Sequence, residues 1–150
     1  MKKNSLLIFA CCFLLSGIAP AFAQEQKEQI VIPGGSQASS YAPEKNFTGR
    51  VRVDPAFKTE SPQRTYGSYV TFEPSARTNW HIHPMGQVLI VTFGTGMTQE
   101  WGKEIQIIKQ GDIVICPPNV KHWHGAAPNA AMTHLAIGER LEGSLTLIQI

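Results

Sequence analysis

Two short stretches of the chain carry residues whose types and spacing suit a metal site. His81 and His83 form a His-x-His pair. Residues two apart on a β-strand point to the same face, so both imidazoles can bind one ion. Residues 84–86, Pro-Met-Gly, can turn the chain so that the amide oxygen of Gln87 returns to that ion. His122 comes from a separate predicted strand. The sequence therefore predicts a metal centre whose ligands are His81, His83, Gln87 and His122.

The ligand types constrain the chemistry of this centre. Imidazole nitrogen binds Mn, Fe, Ni, Cu and Zn ions, and an amide oxygen favours the harder ions among them. Gln87 is uncharged, whereas a glutamate at the same position would place a negative charge on the metal. A divalent ion would keep its full charge here, which favours Lewis-acid chemistry and the binding of an anion.

The two remaining histidines, His124 and His134, are candidates for proton transfer. A histidine with a pKa near neutrality can both accept and release a proton. His124 shares a strand face with His122, and three roles are open for it: a hydrogen-bond donor near the metal, a second acid or base, or a residue at the rim. His134 shares a face with Met132 and Ala136, which suits either a base or a buried histidine bonded to a backbone carbonyl.

The order of these residues resembles the two motifs of the cupin family. After Gln87, the family's glycine and proline positions are occupied in order by Gly94, Gly111 and Pro117. Two positions depart from the usual pattern, because Gln87 replaces a glutamate and Asn119 replaces a glycine. Asparagine tolerates left-handed backbone angles, so we expect the turn at Asn119 to be retained. The resemblance implies an all-β fold, a single cupin (jelly-roll) β-barrel with one metal ion at its centre.

A narrower group within that family resembles much of the chain, over residues 35–143. The chain is similar to the bacterial manganese-dependent cupin hydroxynitrile lyases, which are mandelonitrile lyase-like proteins with a glutamine in the metal site. The likeness is carried by these stretches: 35–39, 47–55, 70–74, 76–78, 81–84, 86–87, 121–128 and 131–137. It implies that His81, His83, Gln87 and His122 are the metal ligands. It also implies that His134 is an acid/base beside the metal.

The function that this resemblance implies is a metal-dependent carbon–carbon lyase acting on cyanohydrins and carbonyl compounds. The metal would be the Lewis acid, with Mn(II) favoured and Fe(II), Zn(II) or Ni(II) as the other candidates. His134 would exchange the hydroxyl proton, and His124 is the second candidate catalytic residue. The alternatives are an iron-dependent dioxygenase on the same scaffold and a non-catalytic metal- or ligand-binding cupin, because a fold does not fix a function.

Short strands must position these residues. Apolar runs between Gly and Pro stops predict strands at 50–53, 68–72, 88–93, 97–101, 105–108, 113–115, 132–137 and 145–150. We expect the first to end at Asp54-Pro55, the third to end at Gly94, and Gly102 to turn a hairpin. No long segment has a helical period. Many short strands with turns between them predict a β-sandwich or β-barrel.

Composition and charge restrict the partners. Hydrophobic residues make up 43% of the chain and charged residues 16%, which predicts a packed globular core. The net charge is +2, and without Lys2 and Lys3 the 13 basic residues fall to 11, equal to the 11 acidic ones. We therefore expect a small-molecule substrate and no nucleic-acid partner. The resemblance and exposed strand edges favour a homo-oligomer, a dimer or tetramer.

The first residues have the features of a secretory signal. Lys2 and Lys3 precede an apolar run over 6–15, and Ala21 and Ala23 supply the small residues of a cleavage site after Ala23. The run is about half of the ~20 residues that a membrane-spanning helix needs, so we expect no membrane association after cleavage. Export predicts a periplasmic location in a bacterium.

The sequence predicts that the chain has one folded domain. The predicted segments are a secretory signal peptide over 1–23, an N-terminal arm or linker over 24–45 and a cupin domain over 46–150. After cleavage Cys116 is the one cysteine left, so no disulfide can form within the chain. Its apolar neighbours predict a buried, unreactive thiol.

Overall fold

The computed structural model describes residues 28–141 and the backbone of residues 148–149. The chain divides after Ile30 into two units. The described part of the first unit, residues 28–30, is exposed and has no regular secondary structure. All described strands lie in the second unit, Val31–Ile150. The predicted signal over 1–23 and most of the strand predicted at 145–150 lie outside the described residues.

Strands account for all the regular secondary structure in the described residues. They are β1 (Ser40–Tyr41), β2 (Phe47–Thr48), β3 (Val51–Lys58), β4 (Thr65–Phe72), β5 (Arg77–Thr78), β6 (His81–Ile82), β7 (Gln87–Glu100), β8 (Gln106–Lys109), β9 (Ile113–Cys116), β10 (His122–Ala126), β11 (Met132–Glu139) and β12 (Ile148–Gln149). Within this described part, no helix has the length and hydropathy of a membrane span.

The strands form two antiparallel sheets that curl into a barrel. Sheet A has the order β1-β3-β4-β11-β7-β9. In sheet B, β7 lies between β8 and β10. Along its other edge, β10 pairs with both β5 and β6. Strand β5 then pairs with β2, and β6 pairs with β12. The arrangement confirms the predicted all-β fold.

Strand β7 belongs to both sheets. The sequence predicted a separate strand over 88–93 that would end at Gly94, and this prediction was wrong, because β7 continues through Gly94 to Glu100. Residues 87–94 pair with β11 in sheet A, and residues 96–100 pair with β10 in sheet B. Gly94 has a φ of +76°, a backbone conformation that glycine adopts without steric cost. The strand therefore bends at Gly94 and continues, so that one strand belongs to both sheets of the barrel.

Replacement of Gly94 by alanine is expected to destabilise the fold by roughly 2 kcal/mol or more. A Cβ at this position would lie 2.0 Å from the carbonyl oxygen of Ala131, in addition to the strain of the positive φ. Gly102 offers a matched control, because its φ is +79° and a Cβ there meets nothing within 4 Å. Gly102→Ala should cost about 1 kcal/mol, the backbone strain alone. Urea denaturation would measure both, and equal costs would contradict the proposed clash.

Strand β3 also extends further than the sequence predicts. It continues through Pro55 to Lys58, and its pairing with β4 shifts register between Pro55 and Phe57. Proline cannot donate a ladder hydrogen bond and is tolerated where the ladder is irregular or one edge is open. Both conditions hold at Pro55, since the described pairing of β1 with β3 ends at Val53.

The core lies between the inner faces of the two sheets. Its fully buried members include Phe72, Leu89, Val91 and Met132. Each side chain of this size contributes about 1.5–3 kcal/mol on burial. Cys116 packs in the same core, as predicted, and burial raises the pKa of its thiol to about 12. The thiol is therefore protonated at neutral pH.

Candidate metal centre

Two paired strands bring the first three predicted ligands together. Strands β6 and β10 run antiparallel with His81 directly opposite His122. The centroids of those two rings lie 4.4 Å apart, and the ring of His83 lies 5.0 Å from that of His81. One ring nitrogen from each of the three histidines lies within 4.8 Å of the others. All three side chains are buried, with 2–3% exposure, so the three rings converge inside the barrel.

Backbone carbonyls orient two of these rings. The Nδ1 of His81 lies 2.9 Å from the carbonyl oxygen of Asn79, and the Nδ1 of His122 lies 2.8 Å from that of Val120. A carbonyl oxygen only accepts hydrogen bonds, so each Nδ1 carries the proton and each Nε2 keeps its lone pair. The Nε2 of His122 is buried and has no hydrogen-bond partner among the described residues. This arrangement, with Nδ1–H donated to a carbonyl, is typical of metal-binding histidines.

One backbone carbonyl holds together the two turns next to the predicted ligands by accepting a hydrogen bond from each turn. The oxygen of His83 accepts N–H bonds from Gly86 and from Asn119, both at 3.0 Å. Asn119 has a φ of +62°, which confirms the expectation that asparagine would retain the left-handed turn. The loop after His83 is thereby tied to the loop that leads into His122.

Gln87 lies at the start of β7, where its Cα pairs with Gly138 and Cys116. It is two residues from the buried Leu89, so its side chain lies on the inner face of the sheet. The Oε1 of Gln87 is buried and has no hydrogen-bond partner in the described part of the chain. A buried amide oxygen without a partner is costly, and a metal ion is one group that could satisfy it.

The electrostatics of these residues fit a divalent cation. Burial lowers the pKa of His81 to about 3, and burial also lowers the pKa of His122. Both imidazoles are therefore neutral at pH 7, which is the form that binds metal. The histidine cluster includes no carboxylate, and the amide of Gln87 adds no charge. The three histidines could hold a metal, with Gln87 as the candidate fourth ligand.

His124 and His134 form a hydrogen-bonded pair beside the three histidines. The Nε2 of His134 lies 3.0 Å from the Nδ1 of His124. The ring of His124 lies 5.4 Å from that of His81 and 5.9 Å from that of His122. His124 is 3% exposed and His134 is fully buried. Of the three roles open for His124, burial therefore excludes a residue at the rim.

The pair can exchange protons without a change in its net charge. Burial lowers the pKa of both His124 and His134, so both rings are neutral at pH 7 and one ring donates its N–H to the other. The two outer nitrogens, Nδ1 of His134 and Nε2 of His124, are buried and without hydrogen-bond partners among the described residues. In either tautomeric arrangement one outer nitrogen is a base and the other carries a proton. The pair therefore offers a proton acceptor and a proton donor at the same time.

Two residues outside the predicted site support this pair. The ring of Phe72 lies 5.9 Å from that of His124 and 5.4 Å from that of His134, and it forms an apolar wall beside both. The hydroxyl of Thr78, itself buried, accepts the backbone N–H of His124 at 3.1 Å. Both residues lie in stretches that carry the family likeness, 70–74 and 76–78, but their residue types alone indicate no role at the site.

Acidification is expected to destabilise the metal-free protein between pH 6.5 and pH 4. Burial lowers the pKa of His134 from 6.5 to about 4, so in this interval the unfolded chain binds a proton that the folded protein does not. The free energy of unfolding should fall as the pH is lowered, by up to about 1.4 kcal/mol per pH unit for each such histidine. Urea denaturation at a series of pH values would measure the slope. His134→Gln removes one titrating group, and an unchanged slope in that variant would contradict the assignment.

Comparison of the sequence with known proteins identifies the family of this chain. Residues 68–138 match the cupin domain family. Over 109 residues the chain is 57% identical to an (R)-mandelonitrile lyase of Granulicella tundricola, covering 73% of this chain and 83% of that protein. The chain belongs to the cupin family. The predicted likeness to mandelonitrile lyase-like cupins is therefore confirmed, and the lyase relative supports an enzyme.

Solved cupin structures share the barrel described above. A cupin-like protein from Thermotoga maritima is 43% identical, with a TM-score of 0.69 over 74% of this chain and 84% of that one. A predicted oxalate decarboxylase from the same organism has a TM-score of 0.66 over 75% of this chain and 100% of that one. It is only 17% identical, so it supports the fold alone. Together they confirm the single jelly-roll barrel for this cupin.

Proposed function

We propose that this cupin is a metal-dependent lyase that cleaves and forms the carbon–carbon bond of cyanohydrins. The observation that carries the proposal is the position of the His124–His134 pair, whose nearer ring lies 5.4 Å from a ring of the three-histidine cluster. This arrangement sets a proton-transfer group beside a Lewis-acid site. The 57% identity to an (R)-mandelonitrile lyase supports the same reaction class.

The metal would be held by His81, His83, His122 and Gln87. Neutral ligands leave a divalent ion with its full charge, and the amide oxygen of Gln87 favours the harder ions. We propose Mn(II), with Fe(II), Zn(II) and Ni(II) as the other candidates. A divalent ion bound there would supply Lewis acidity toward the nitrile and toward the cyanide that leaves.

The histidine pair would perform the proton transfers. His134 takes the hydroxyl proton of the cyanohydrin as the bond between the carbinol carbon and the nitrile carbon breaks. The electrons of that bond leave with cyanide, and the oxygen becomes the carbonyl oxygen of an aldehyde. The proton then returns from the pair to cyanide, so that HCN and the aldehyde are released and the histidines are again neutral. Burial beside Phe72 excludes water from the pair.

The test is the addition of HCN to benzaldehyde by the purified protein, stripped of metal and then reloaded with Mn(II). We expect mandelonitrile only in the reloaded sample, with the reverse reaction cleaving mandelonitrile. Oxygen uptake with an Fe(II)-loaded sample, in the absence of lyase activity, would overturn the proposal in favour of a dioxygenase. Tight binding of benzaldehyde without turnover under any metal would favour a binding protein.

We further propose that the protein acts after export, on small molecules in the periplasm of a bacterium. The charge pattern and cleavage site of residues 1–23 support this proposal. Amino-terminal sequencing of the protein recovered from the periplasm should begin at Gln24. Recovery of the uncleaved chain from the cytoplasm would contradict it.

A further inference from the structure

A tyrosine lies in the same row of sheet A as Gln87, the candidate fourth ligand. Tyr66 of β4 is opposite Gly138 of β11, and Gly138 is opposite Gln87 of β7. Directly opposite residues of antiparallel strands present their side chains to the same face. The alternation along β4 agrees, because the core residues Val70 and Phe72 are four and six positions from Tyr66. The side chain of Tyr66 therefore enters the barrel two strands away from Gln87.

The ring of Tyr66 lies over the backbone of Gly138. A Cβ at position 138 would lie 2.6 Å from the Cζ of that ring, which is well inside the separation of carbon atoms in contact. The phenol therefore occupies the room that a side chain at position 138 would take. It extends from β4 across β11 toward Gln87, so the absence of a side chain at Gly138 is what lets the ring of Tyr66 reach over the sheet.

The interior of the barrel is open to solvent at this row. Tyr66 and Gln87 face inward and yet are only half-buried, as is Ser68, the next inward residue of β4. Farther along the same inner face, the side chains of Met132 and His134 have no exposed surface. A small molecule can therefore enter the interior beside Tyr66 and move along the sheet toward His134.

The next inward row consists mainly of small residues. Ser68 of β4 is opposite Ala136 of β11, which is opposite the fully buried Leu89 of β7. Because Ser68 and Ala136 have short side chains, they leave space above them, between the row of Tyr66 and the row of His134. Successive inward rows are two residues apart, or roughly 7 Å along the strand.

The space above Ser68 and Ala136 suits one aromatic ring. Aromatic rings in contact keep their centroids about 4.5–7 Å apart, which is close to the spacing of the rows. A single ring above these two residues would therefore contact the ring of Tyr66 on one side. On its other side it would lie next to the row of His134, the proposed proton acceptor.

We propose that the ring of Tyr66 limits the size of the carbonyl substituent, so that the protein accepts aldehydes and cyanohydrins with one aromatic ring and excludes those with two fused rings. The inference rests on the proposed lyase function for the reaction and names its substrate class. With the reacting carbon beside His134, the substituent extends over Ser68 and Ala136 until it meets the Tyr66 ring, and a second fused ring would overlap that ring. Tyr66 is thus a specificity-determining residue, and its ring, not its hydroxyl group, sets the limit.

Kinetics of HCN addition to benzaldehyde and to 2-naphthaldehyde by the Mn(II)-loaded protein test the role of Tyr66. We expect Tyr66→Ala to raise kcat/KM for 2-naphthaldehyde relative to benzaldehyde by about 10-fold or more, which is typical of a change in pocket size. Tyr66→Phe keeps the ring and should leave this ratio unchanged. Tyr66→Val has a β-branched side chain that strands favour, so it covers the case in which the alanine variant fails to fold, and it should also raise the ratio.

Tyr69→Ala is the matched control. Tyr69 lies on the same strand but on its outer face, where it is 42% exposed. Its replacement should leave the ratio unchanged. An unchanged ratio in both Tyr66→Ala and Tyr66→Val would overturn the proposal. An equal rise in Tyr69→Ala, or equal use of the two aldehydes by the unsubstituted protein, would also overturn it.

Binding of two unreactive alcohols separates this proposal from the lyase function. Benzyl alcohol and 2-naphthalenemethanol carry the same two substituents, but they cannot add HCN or release cyanide. In calorimetric titrations, Tyr66→Ala should lower the dissociation constant of 2-naphthalenemethanol relative to that of benzyl alcohol by about 10-fold. If this shift is found without turnover of either aldehyde, the lyase function fails and the size limit is supported. If the aldehydes are turned over and neither ratio changes, the size limit fails and the lyase function is supported.

Discussion

Replacement of His134 by glutamine is expected to lower the rate of mandelonitrile cleavage by about 10²- to 10⁴-fold, the usual contribution of a positioned proton acceptor. Glutamine keeps a hydrogen-bonding group toward His124 but has no nitrogen that can accept the hydroxyl proton. His134 is fully buried and lies outside the three-histidine cluster, so bound metal should be retained. Steady-state kinetics of the Mn(II)-loaded variant, with its metal content measured in parallel, would check this.

Two comparison variants make that result specific. Met132→Leu alters the same inner face of β11 two residues away, conserves volume and should change the rate by only a few fold. His124→Gln separates a positioning role from proton transfer, because a glutamine amide can still hydrogen-bond to the Nε2 of His134. If His124 only positions His134, this variant should retain much of the rate and the pH profile. An unchanged rate in His134→Gln would contradict its assignment as the base.

Loss of the His122 imidazole is expected to remove the metal from the protein. His122→Ala deletes one of three nitrogens that lie within 4.8 Å of each other. Loss of a ligand's hydrogen-bond partner alone typically weakens metal binding by about 10- to 100-fold, and loss of the ligand itself should exceed this. Calorimetric titration with Mn(II), and elemental analysis after dialysis, would measure the change. Lyase activity should disappear with the metal.

Trp123→Phe is the control for that experiment. Trp123 follows His122 on β10 but points to the other face, where its Nε1–H donates to the Oε1 of Gln99 at 2.8 Å. The substitution changes packing on the outside of sheet B and leaves the histidines in place, so metal affinity should be retained. If His122→Ala bound Mn(II) as tightly as the unsubstituted protein, the metal site would lie elsewhere.

Residue spacing alone was sufficient to predict much of the candidate centre. A two-residue repeat places His81 and His83 on one face of an extended chain, and a tight turn must follow at Pro84–Gly86. The left-handed turn at Asn119 is likewise a property of one residue's backbone preference. Local features of this kind depend on few neighbours, so the sequence determines them. The family likeness then supplied the expected barrel, which comparison and structure both confirm.

Other features depend on contacts between residues that are distant in sequence. The sequence predicted that Gly94 would end a strand, yet β7 bends there and continues into the second sheet. A strand continues when both of its parts find hydrogen-bonding partners, and those partners come from β10 and β11. No local pattern encodes that choice.

What the sequence by itself determined is therefore the set of histidines, their shared faces, the turns beside them and the all-β class. Only the tertiary structure decided that His124 and His134, which lie on strands of different sheets, meet through a hydrogen bond beside the cluster. That contact follows from strand register, which long-range pairing fixes and local residue preferences do not.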